Sequence, residues 1–372
     1  MYKMDKVAKF RGIRDSSIDI LKGLAIILVV YGHTWPFCRN FIYLFHMAVF
    51  MMASGYCFSC RIETVNEYRS YILKKLKALY LPFIVCNGVF ILCNGLFLRI
   101  GFYTTDPQFL RLTETWPVKQ SLYNSGGILS YGKQLLKVAA FIGPSQMGTS
   151  TWFLTTLFST LIIHAGLLLV FRNKDKSIIT FTILFVALFL SQIITNSNVV
   201  LPYAIKCLPC TYATFLFGII IKKIKWKGLY SWWMGLLSFC FLVVISQYFS
   251  IEISAAKIEN IVLYAAVSGA GWILLKSIST LILKLKIVAA MMQYIGKHTL
   301  PIMCMHVLAF KLISWIYIII ENKPYSLLAG FHVIFDANEF WKVLYLVSGV
   351  VLPMVLYRVY RRLKKAIKRL LI

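Results

Sequence analysis

Long apolar runs, separated by short polar segments, make up most of the chain. A helix needs about 20 mostly apolar residues to cross a bilayer, because it rises about 1.5 Å per residue. The sequence contains about ten such runs, and each predicts a helix across a membrane. These runs cover residues 17–37, 41–60, 78–100, 150–171, 177–195, 201–221, 229–249, 259–280, 298–320 and 341–360. The predicted fold is therefore an all-α polytopic membrane protein, a bundle of about ten transmembrane helices.

Two polar segments interrupt this pattern on the predicted outer side. Residues 101–149 form a long loop rich in Ser, Thr, Gly, Tyr and Trp, and residues 321–340 form a shorter one. A loop as long as the first is usually functional or disordered. No internal repeat divides the sequence, so we predict a single membrane domain over residues 1–372. Its end, residues 361–372, is expected to form a basic cytoplasmic tail at the lipid surface.

Charge predicts the orientation of the bundle. Most of the 40 Lys and Arg residues lie in short clusters between apolar runs, as in the cytoplasmic loops of membrane proteins. We therefore predict that both termini face the cytoplasm. The net charge of +27 would also suit nucleic-acid binding, but the spacing of the clusters speaks against that partner. With 59% hydrophobic and 14% charged residues, the chain has too little polar surface for a soluble protein, and its expected partner is the lipid bilayer.

The nine cysteines do not indicate a disulfide framework. Most lie in apolar runs, where a thiol usually packs as a small hydrophobic side chain. Cys57 and Cys60 have the spacing of a metal or redox pair, but no second pair accompanies them. We therefore predict neither a metal site nor a redox role. No cleavable signal peptide is expected, because no small-residue cleavage site follows the first apolar run.

The first predicted helix contains ionisable residues, which are costly in a bilayer and therefore indicate function. They are Asp19, Lys22 and His33. Lys22 and His33 are eleven positions apart, which places them on one helix face about 16 Å apart along the axis. Asp19 can pair with Lys22 from one turn earlier. The alternatives are that Asp19 and Lys22 form only a structural pair at the cytoplasmic end, and that His33 is a buried packing histidine.

Three further groups of polar residues belong to other predicted helices. His46 follows a turn that contains Pro36, so it can approach His33 across a helical hairpin. His306 lies eight positions after His298 on nearly the same face of a late helix. Three lysines begin the third helix, where they are either ordinary cytoplasmic lysines or ligands for the phosphates of an anionic donor; they are Lys74, Lys75 and Lys77. Of the remaining histidines, we interpret His164 as a packing residue and His332 as a loop residue.

Five segments resemble, in the correct order, the motifs of the acyltransferase 3 family of membrane enzymes. The segments are IDILKGLAIILVVYGH, FHMAVFMMASGY, KKLKALYLPF, WFLTTLF and IGKHTLPIMCMH. The resemblance implies transfer of an acyl group, commonly acetyl from acetyl-CoA, to a hydroxyl of an extracytoplasmic glycan or polysaccharide. It also implies a bacterial inner membrane. We therefore expect an acyl-CoA donor, a carbohydrate acceptor and no metal.

The resemblance also assigns candidate site residues. His33 would be the central catalytic histidine, with Lys22 as its paired basic residue, and we add His46 and His306 to the catalytic group. Asp19, the three lysines and Trp152 of the fourth helix are assigned to substrate binding. The sequence departs from the family at Lys22, where arginine is frequent, and at Ala78, where the family has a second basic residue. Lysine lacks the fork geometry of arginine, so donor contacts can differ.

A different class of protein also fits part of this pattern. A transporter or flippase for a polar or anionic solute would use about ten helices and buried ionisable residues as a proton relay. The absence of repeats and of broken helices in matching halves speaks against it. The acyl group, the acceptor and the choice between direct transfer and an acyl-histidine intermediate stay open.

Overall fold

The computed structural model describes residues 15–60, 62–104, 127–197, 201–224, 226–253, 258, 260–330, 332–334 and 337–370. The predicted basic N-terminal segment, residues 105–126 of the predicted outer loop and the last two residues of the predicted tail lie outside the described residues. Within the described part of the chain, most helices share one large apolar core, and residues of the helix Asn94–Arg99 pack in a second, smaller cluster. The prediction of an all-α fold is confirmed.

The described part of the chain contains fifteen α-helices. They are α1 (Ser16–Gly32), α2 (Arg39–Tyr43), α3 (His46–Tyr56), α4 (Val65–Lys75), α5 (Leu81–Leu92), α6 (Asn94–Arg99), α7 (Gly127–Ala139), α8 (Trp152–Val170), α9 (Lys176–Asn196), α10 (Tyr203–Ile221), α11 (Trp232–Tyr248), α12 (Ile261–Ile282), α13 (Lys286–Lys297), α14 (Thr299–Ile320) and α15 (Glu339–Leu370).

Seven helical segments among the described residues are long and apolar enough to cross a membrane. They are Val65–Leu92, Thr149–Val170, Lys176–Asn196, Ala204–Ile221, Ile261–Ile282, Thr299–Ile320 and Glu339–Ile367. Three other predicted spans are helical but shorter: α1 and α11 have 17 residues each, and α3 has 11. A count of ten and the orientation of the termini therefore stay predictions. Below, "inner" and "outer" name the two ends of the bundle on the predicted topology.

The structure corrects the predicted second helix, which is two helices rather than one. The chain turns at Leu44 and Phe45, and α3 begins at His46. Phe45 is fully buried and fits against Gly271 of α12, where an added Cβ would overlap its side chain. A tertiary contact thus decides this break, and hydropathy alone does not reveal it.

The third helix begins earlier than predicted. Thr64 and Glu67 form a capping box, in which each side chain accepts a hydrogen bond from the other residue's backbone N–H. Helix α4 therefore starts in the polar segment and continues through a π-helical turn, Leu76–Tyr80, into α5. Pro82 has no N–H to give to Ala78, which explains why the regular ladder is interrupted here. The predicted loop 101–149 also contains a helix, α7, which is amphipathic.

Small residues allow close backbone contacts between the helices that carry the predicted site. An added Cβ at Gly55 of α3 would overlap the carbonyl of Phe215 in α10, and one at Gly218 of α10 would overlap the carbonyl of Met52. Gly296 of α13 faces the carbonyl of Asp19 in the same way. Such small-residue contacts are the usual means of close helix association in membranes. They fix α1 and α3 in the centre of the bundle.

A buried ion pair lies at the inner end of α1. Lys276 of α12 is almost fully buried and donates to the Asp15 carboxylate at 2.9 Å and to the Ser17 hydroxyl. Burial alone would raise the pKa of Asp15, but the hydrogen bonds from Ser17 and Lys276 outweigh it and lower that pKa below its usual value. The pair ties the start of α1 to α12.

Candidate active site

Three histidine rings from distant parts of the chain meet in the centre of the bundle. His33 follows the last residue of α1, His306 lies in α14, and His332 belongs to the loop between α14 and α15. The ring centroids of His33 and His306 are 5.1 Å apart, and those of His33 and His332 are 4.7 Å apart. All three rings are nearly parallel. His33 is half-buried, whereas the other two are buried.

The hydrogen bond made by Nδ1 of His306 determines which tautomer of its imidazole is present. Its Nδ1 lies 2.8 Å from the carbonyl oxygen of Ile302, one turn earlier in α14. A carbonyl can only accept, so Nδ1 carries the proton and Nε2 carries the lone pair. Nε2 is fully buried and has no hydrogen-bond partner among the described residues. An imidazole nitrogen with a free lone pair is suited to take a proton from a substrate hydroxyl.

His46 is held in the same manner. It begins α3, and its Nδ1 donates to the carbonyl of Ile42 at 2.8 Å, which again leaves the lone pair on Nε2. Its ring packs on Tyr43 with centroids 4.9 Å apart, and it is close enough to influence the charge of His33. Gly32 makes room for Tyr43, because an added Cβ would lie 3.0 Å from that ring. His46 therefore lies near the three stacked histidine rings but is not stacked on them.

His332 was interpreted from sequence as a loop residue without other histidines nearby. It does lie in a loop, but its ring stacks on that of His33, so the predicted isolation is wrong. The loop after Ile320 folds back into the bundle, since His306 lies about 21 Å below the end of α14 at 1.5 Å per residue. Leu328, Ala329 and Val333 of this loop are buried. His332 itself has φ of 60°, a left-handed conformation that is uncommon for histidine and is often found at functional sites.

Lys311 anchors this returning loop. It lies in α14, is 3% exposed, and its ammonium donates to the carbonyls of Leu328 at 2.8 Å and Gly330 at 2.5 Å. Sequence reasoning missed it, although a lysine inside an apolar helix is itself a signal of function. The sequence does not reveal that the loop with His332 folds back into the bundle, because the neighbours of this histidine come from α1 and α14, which are distant in the chain.

The surroundings of His332 disfavour its protonation. Burial, the neighbouring imidazole of His306 and the positive charges of Lys311 and Arg39 lower the pKa of His332 well below its usual value. Its imidazole therefore stays neutral at physiological pH. A neutral imidazole can still donate one N–H to a developing negative charge.

Arg39 lies near this cluster and packs on two aromatic rings. Its guanidinium lies 4.2 Å from the ring centroid of Trp35 and 4.2 Å from that of Tyr43. Trp35 has a left-handed φ of 55°, which places its ring beside the arginine. This turn carries one positive charge close to His33 and His46.

The predicted donor lysines gather at the inner end. The amino group of Lys22 lies 3.9 Å from the Cys57 sulfur. Lys75 has its amino group 5.1 Å above the Tyr71 ring, and Lys22 and Lys74 are close enough to repel its charge. The helix rise puts this group about 16 Å from His33. The arrangement therefore has a basic inner part and a histidine-rich part further out.

The other predicted site residues are less closely connected with these groups. Lys77 is exposed on the π-helical turn. Asp19 is buried near the start of α1, and its pairing with Lys22 stays a prediction. Trp152 is buried at the start of α8. His164, by contrast, packs on Phe58 and Phe215, and its Nδ1 lies 3.1 Å from the Tyr212 hydroxyl, which confirms its role as a packing residue.

Comparison with known proteins gives one finding that covers most of the chain. The family model described as an acyltransferase domain, that of the acyltransferase 3 family, matches residues 15–358. No curated protein and no solved structure matches the chain. The matched range includes α1, α14 and the loop between α14 and α15, and therefore all three histidines of the cluster.

Proposed function

The chain belongs to the acyltransferase 3 family, and we propose that it is a multi-pass membrane O-acyltransferase that moves an acyl group from a cytoplasmic acyl-CoA to a hydroxyl of an extracytoplasmic glycan. Acetyl is the group we propose first. The observation that carries this proposal is the buried Nε2 of His306, which has a lone pair and no partner among the described residues, beside His33 and His332.

The proposed reaction is attack of an acceptor hydroxyl on the thioester. His306 Nε2 takes the hydroxyl proton while the acceptor oxygen bonds to the carbonyl carbon. The neutral N–H of His332 stabilises the oxyanion that forms on the carbonyl oxygen. The C–S bond then breaks, and the CoA sulfur leaves with the proton from His306. His33 lies next to both rings and passes the proton or orients the acyl group.

The inner lysines serve the donor in this proposal. An acyl-CoA carries phosphates at one end and the thioester at the end of a long flexible arm. The ammonium groups of Lys22, Lys74 and Lys75 attract phosphates as point charges. With the phosphates held there, the arm would extend over the roughly 16 Å to His33, and the acceptor would enter from the outer side.

The test is acyl transfer in proteoliposomes. Purified protein is reconstituted, radiolabelled acetyl-CoA is supplied on one side, and label on a panel of glycans is measured on the other. H33A should abolish transfer, whereas H298A, which changes a half-buried histidine of the same chain, should not. K75A should raise the KM for acetyl-CoA, whereas K284A, in the exposed turn after α12, should leave it unchanged.

Three outcomes would count against the proposal. Equal transfer by H33A and wild type would remove His33 from the reaction. An unchanged donor KM in K75A would remove the donor site from the lysine group. Absence of transfer to every acceptor, together with solute flux across the vesicle membrane, would favour a transporter. Trapped label on His33 during turnover would assign the acyl-histidine route in place of direct transfer.

A further inference from the structure

A cavity of about 210 Å³ lies on the outer side of the bundle, apart from the histidine cluster. It is formed between the end of α5, helix α6, the amphipathic helix α7 and the chain that follows α7. Its polar lining comes from two helices and this chain: Asn94, Gln134, Lys137, Ser145 and Gln146. Ile91, Val138 and Pro144 add apolar surface. This combination of apolar walls with a few placed polar groups is typical of a small-molecule site.

The cavity wall is rigidly built. Asn87 of α5 is fully buried and accepts from both the backbone N–H and the hydroxyl of Ser145, at 2.7 Å each. It also donates to Thr151 at 2.9 Å. Gly148 gives the close approach that this network needs, because an added Cβ would overlap the Asn87 side chain. One side of the cavity is therefore held in a fixed position against α5.

The same segment is tied to the helix that bears His306. The Ser150 hydroxyl donates to the carbonyl of Met303 at 2.7 Å, one turn before the histidine. Met147, which follows the cavity residue Gln146, packs in one buried cluster with Val307. A ligand in the cavity would thus lie beside the part of α14 that carries the proposed base.

The polar groups favour a ligand with several hydroxyls. The Oε1 atom of Gln146 is buried and has no hydrogen-bond partner among the described residues, and an unmet acceptor of this kind calls for a donor. Asn94 donates to Gln134 at 3.0 Å, and Gln134 donates to the Ser130 hydroxyl at 3.4 Å, so these amides are held at fixed positions beside the cavity. Amide side chains carry both kinds of group, which suits the hydroxyls of a sugar.

The charge of the lining residues restricts the class of sugar that the cavity would bind. Lys137 is the cation among the lining residues that the structure describes, and none of those residues is acidic. An ammonium beside amides favours a sugar that carries a carboxylate or a phosphate over a neutral one.

We infer that this cavity binds an anionic sugar unit of the acceptor, with Lys137 on its carboxylate and Gln146 on a hydroxyl. The inference rests on the proposed function, because it assigns an acceptor site to that reaction. It names the substrate class as a uronic-acid-like or phosphorylated sugar. The acceptor would then be positioned by α5, α7 and the chain before α8, and the donor by the inner lysines.

The test measures binding without any reaction. Methyl β-glucuronide and methyl β-glucoside are titrated onto the purified full-length protein, and saturation-transfer NMR gives the affinity for each. We expect the glucuronide to bind more tightly than the glucoside. K137A should weaken the glucuronide about two- to fivefold and K137E about tenfold, as expected for an exposed ion pair. K133A, four residues earlier on the exposed face of α7, should bind as wild type does.

A second variant separates the two parts of the site. Q146A should weaken both sugars, because it removes an acceptor for a hydroxyl, whereas K137A should leave the glucoside unaffected. Equal binding of the two sugars by wild type, or wild-type binding of the glucuronide by K137E, would overturn the inference. Acyl transfer is measured in parallel. Acyl transfer without sugar binding would contradict the proposed acceptor site but support the acyltransferase function. Sugar binding without acyl transfer would contradict the acyltransferase function but support a sugar site in this cavity.

Discussion

Replacing Lys311 by methionine would remove the ammonium that holds the returning loop against α14. The carbonyls of Leu328 and Gly330 would each lose a hydrogen bond from a charged donor, and such bonds contribute about 1.5–3 kcal/mol each. The substitution also removes the cost of a buried charge, which is several kcal/mol. The lost hydrogen bonds lower the free energy of unfolding, whereas removal of the buried charge raises it, so the two changes partly cancel. The position of the loop, however, depends only on the lost hydrogen bonds. We therefore expect K311M to loosen the loop without a large change in global stability.

His332 is the residue through which this loss should reach the reaction. It lies two positions after the second carbonyl that Lys311 holds, and its ring must stay 4.7 Å from that of His33. A displacement of about 1 Å in a catalytic arrangement can cost about 100-fold in rate. We therefore expect K311M to lower kcat/KM for acyl transfer about 10- to 100-fold.

The pH dependence gives a second, independent readout. Burial, the nearby imidazole of His306 and the charges of Lys311 and Arg39 lower the pKa of His332. A lowered histidine pKa means that the unfolded chain binds the proton more readily, so stability falls as pH drops below about 6.5. Without the Lys311 charge, the pKa of His332 should rise. The acidic limb of the pH–rate profile should then move to higher pH, and the loss of stability at low pH should become smaller.

The assay combines labelled acyl transfer between pH 5 and 8 with amide hydrogen exchange of residues 325–334. K311M should show faster exchange in this loop and a shifted acidic limb. K342M is the matched control, because Lys342 forms its ion pair with Glu339 of its own helix at 2.8 Å. A K311M variant with wild-type rate, pH profile and exchange would refute the anchoring role of Lys311.

Three further predictions concern the base, the helix contacts and the ion pair at the start of α1. H306Q should lower kcat about 10²- to 10⁴-fold in the acyl-transfer assay, whereas H298Q should not, and equal rates would exclude His306 as the base. G55A should destabilise the protein by about 1–3 kcal/mol in thermal unfolding, since a Cβ there overlaps a carbonyl of α10. G132A, with nothing within 4 Å, should be neutral or slightly stabilising, and an equally stable G55A would contradict the packing argument. Asp15 has a lowered pKa, so its contribution to stability is present above about pH 4 and is lost as pH falls through the folded-state pKa. D15N should remove this pH dependence, and an unchanged stability profile between pH 2 and 5 would contradict the assignment.

The sequence by itself determined the class of the protein and part of the site. Apolar runs of bilayer length predicted most of the helices, because hydropathy reflects the solvent that surrounds each segment. Helical periodicity predicted that Lys22 and His33 share one face of the first helix. The ordered motifs indicated the family that the match over residues 15–358 then established. His33 and His306 could be selected because ionisable residues inside apolar runs are costly and therefore unusual.

Only the tertiary structure decided what surrounds those residues. The interruption between α2 and α3, just before His46, depends on how Phe45 fits against Gly271. Local hydropathy does not reveal that contact. His332 stands in a polar loop, and its place in the cluster depends on the chain folding back and on the buried Lys311 that holds it there. Sequence patterns record the environment of each segment, whereas a site made from α1, α14 and a loop depends on contacts between residues far apart in the chain.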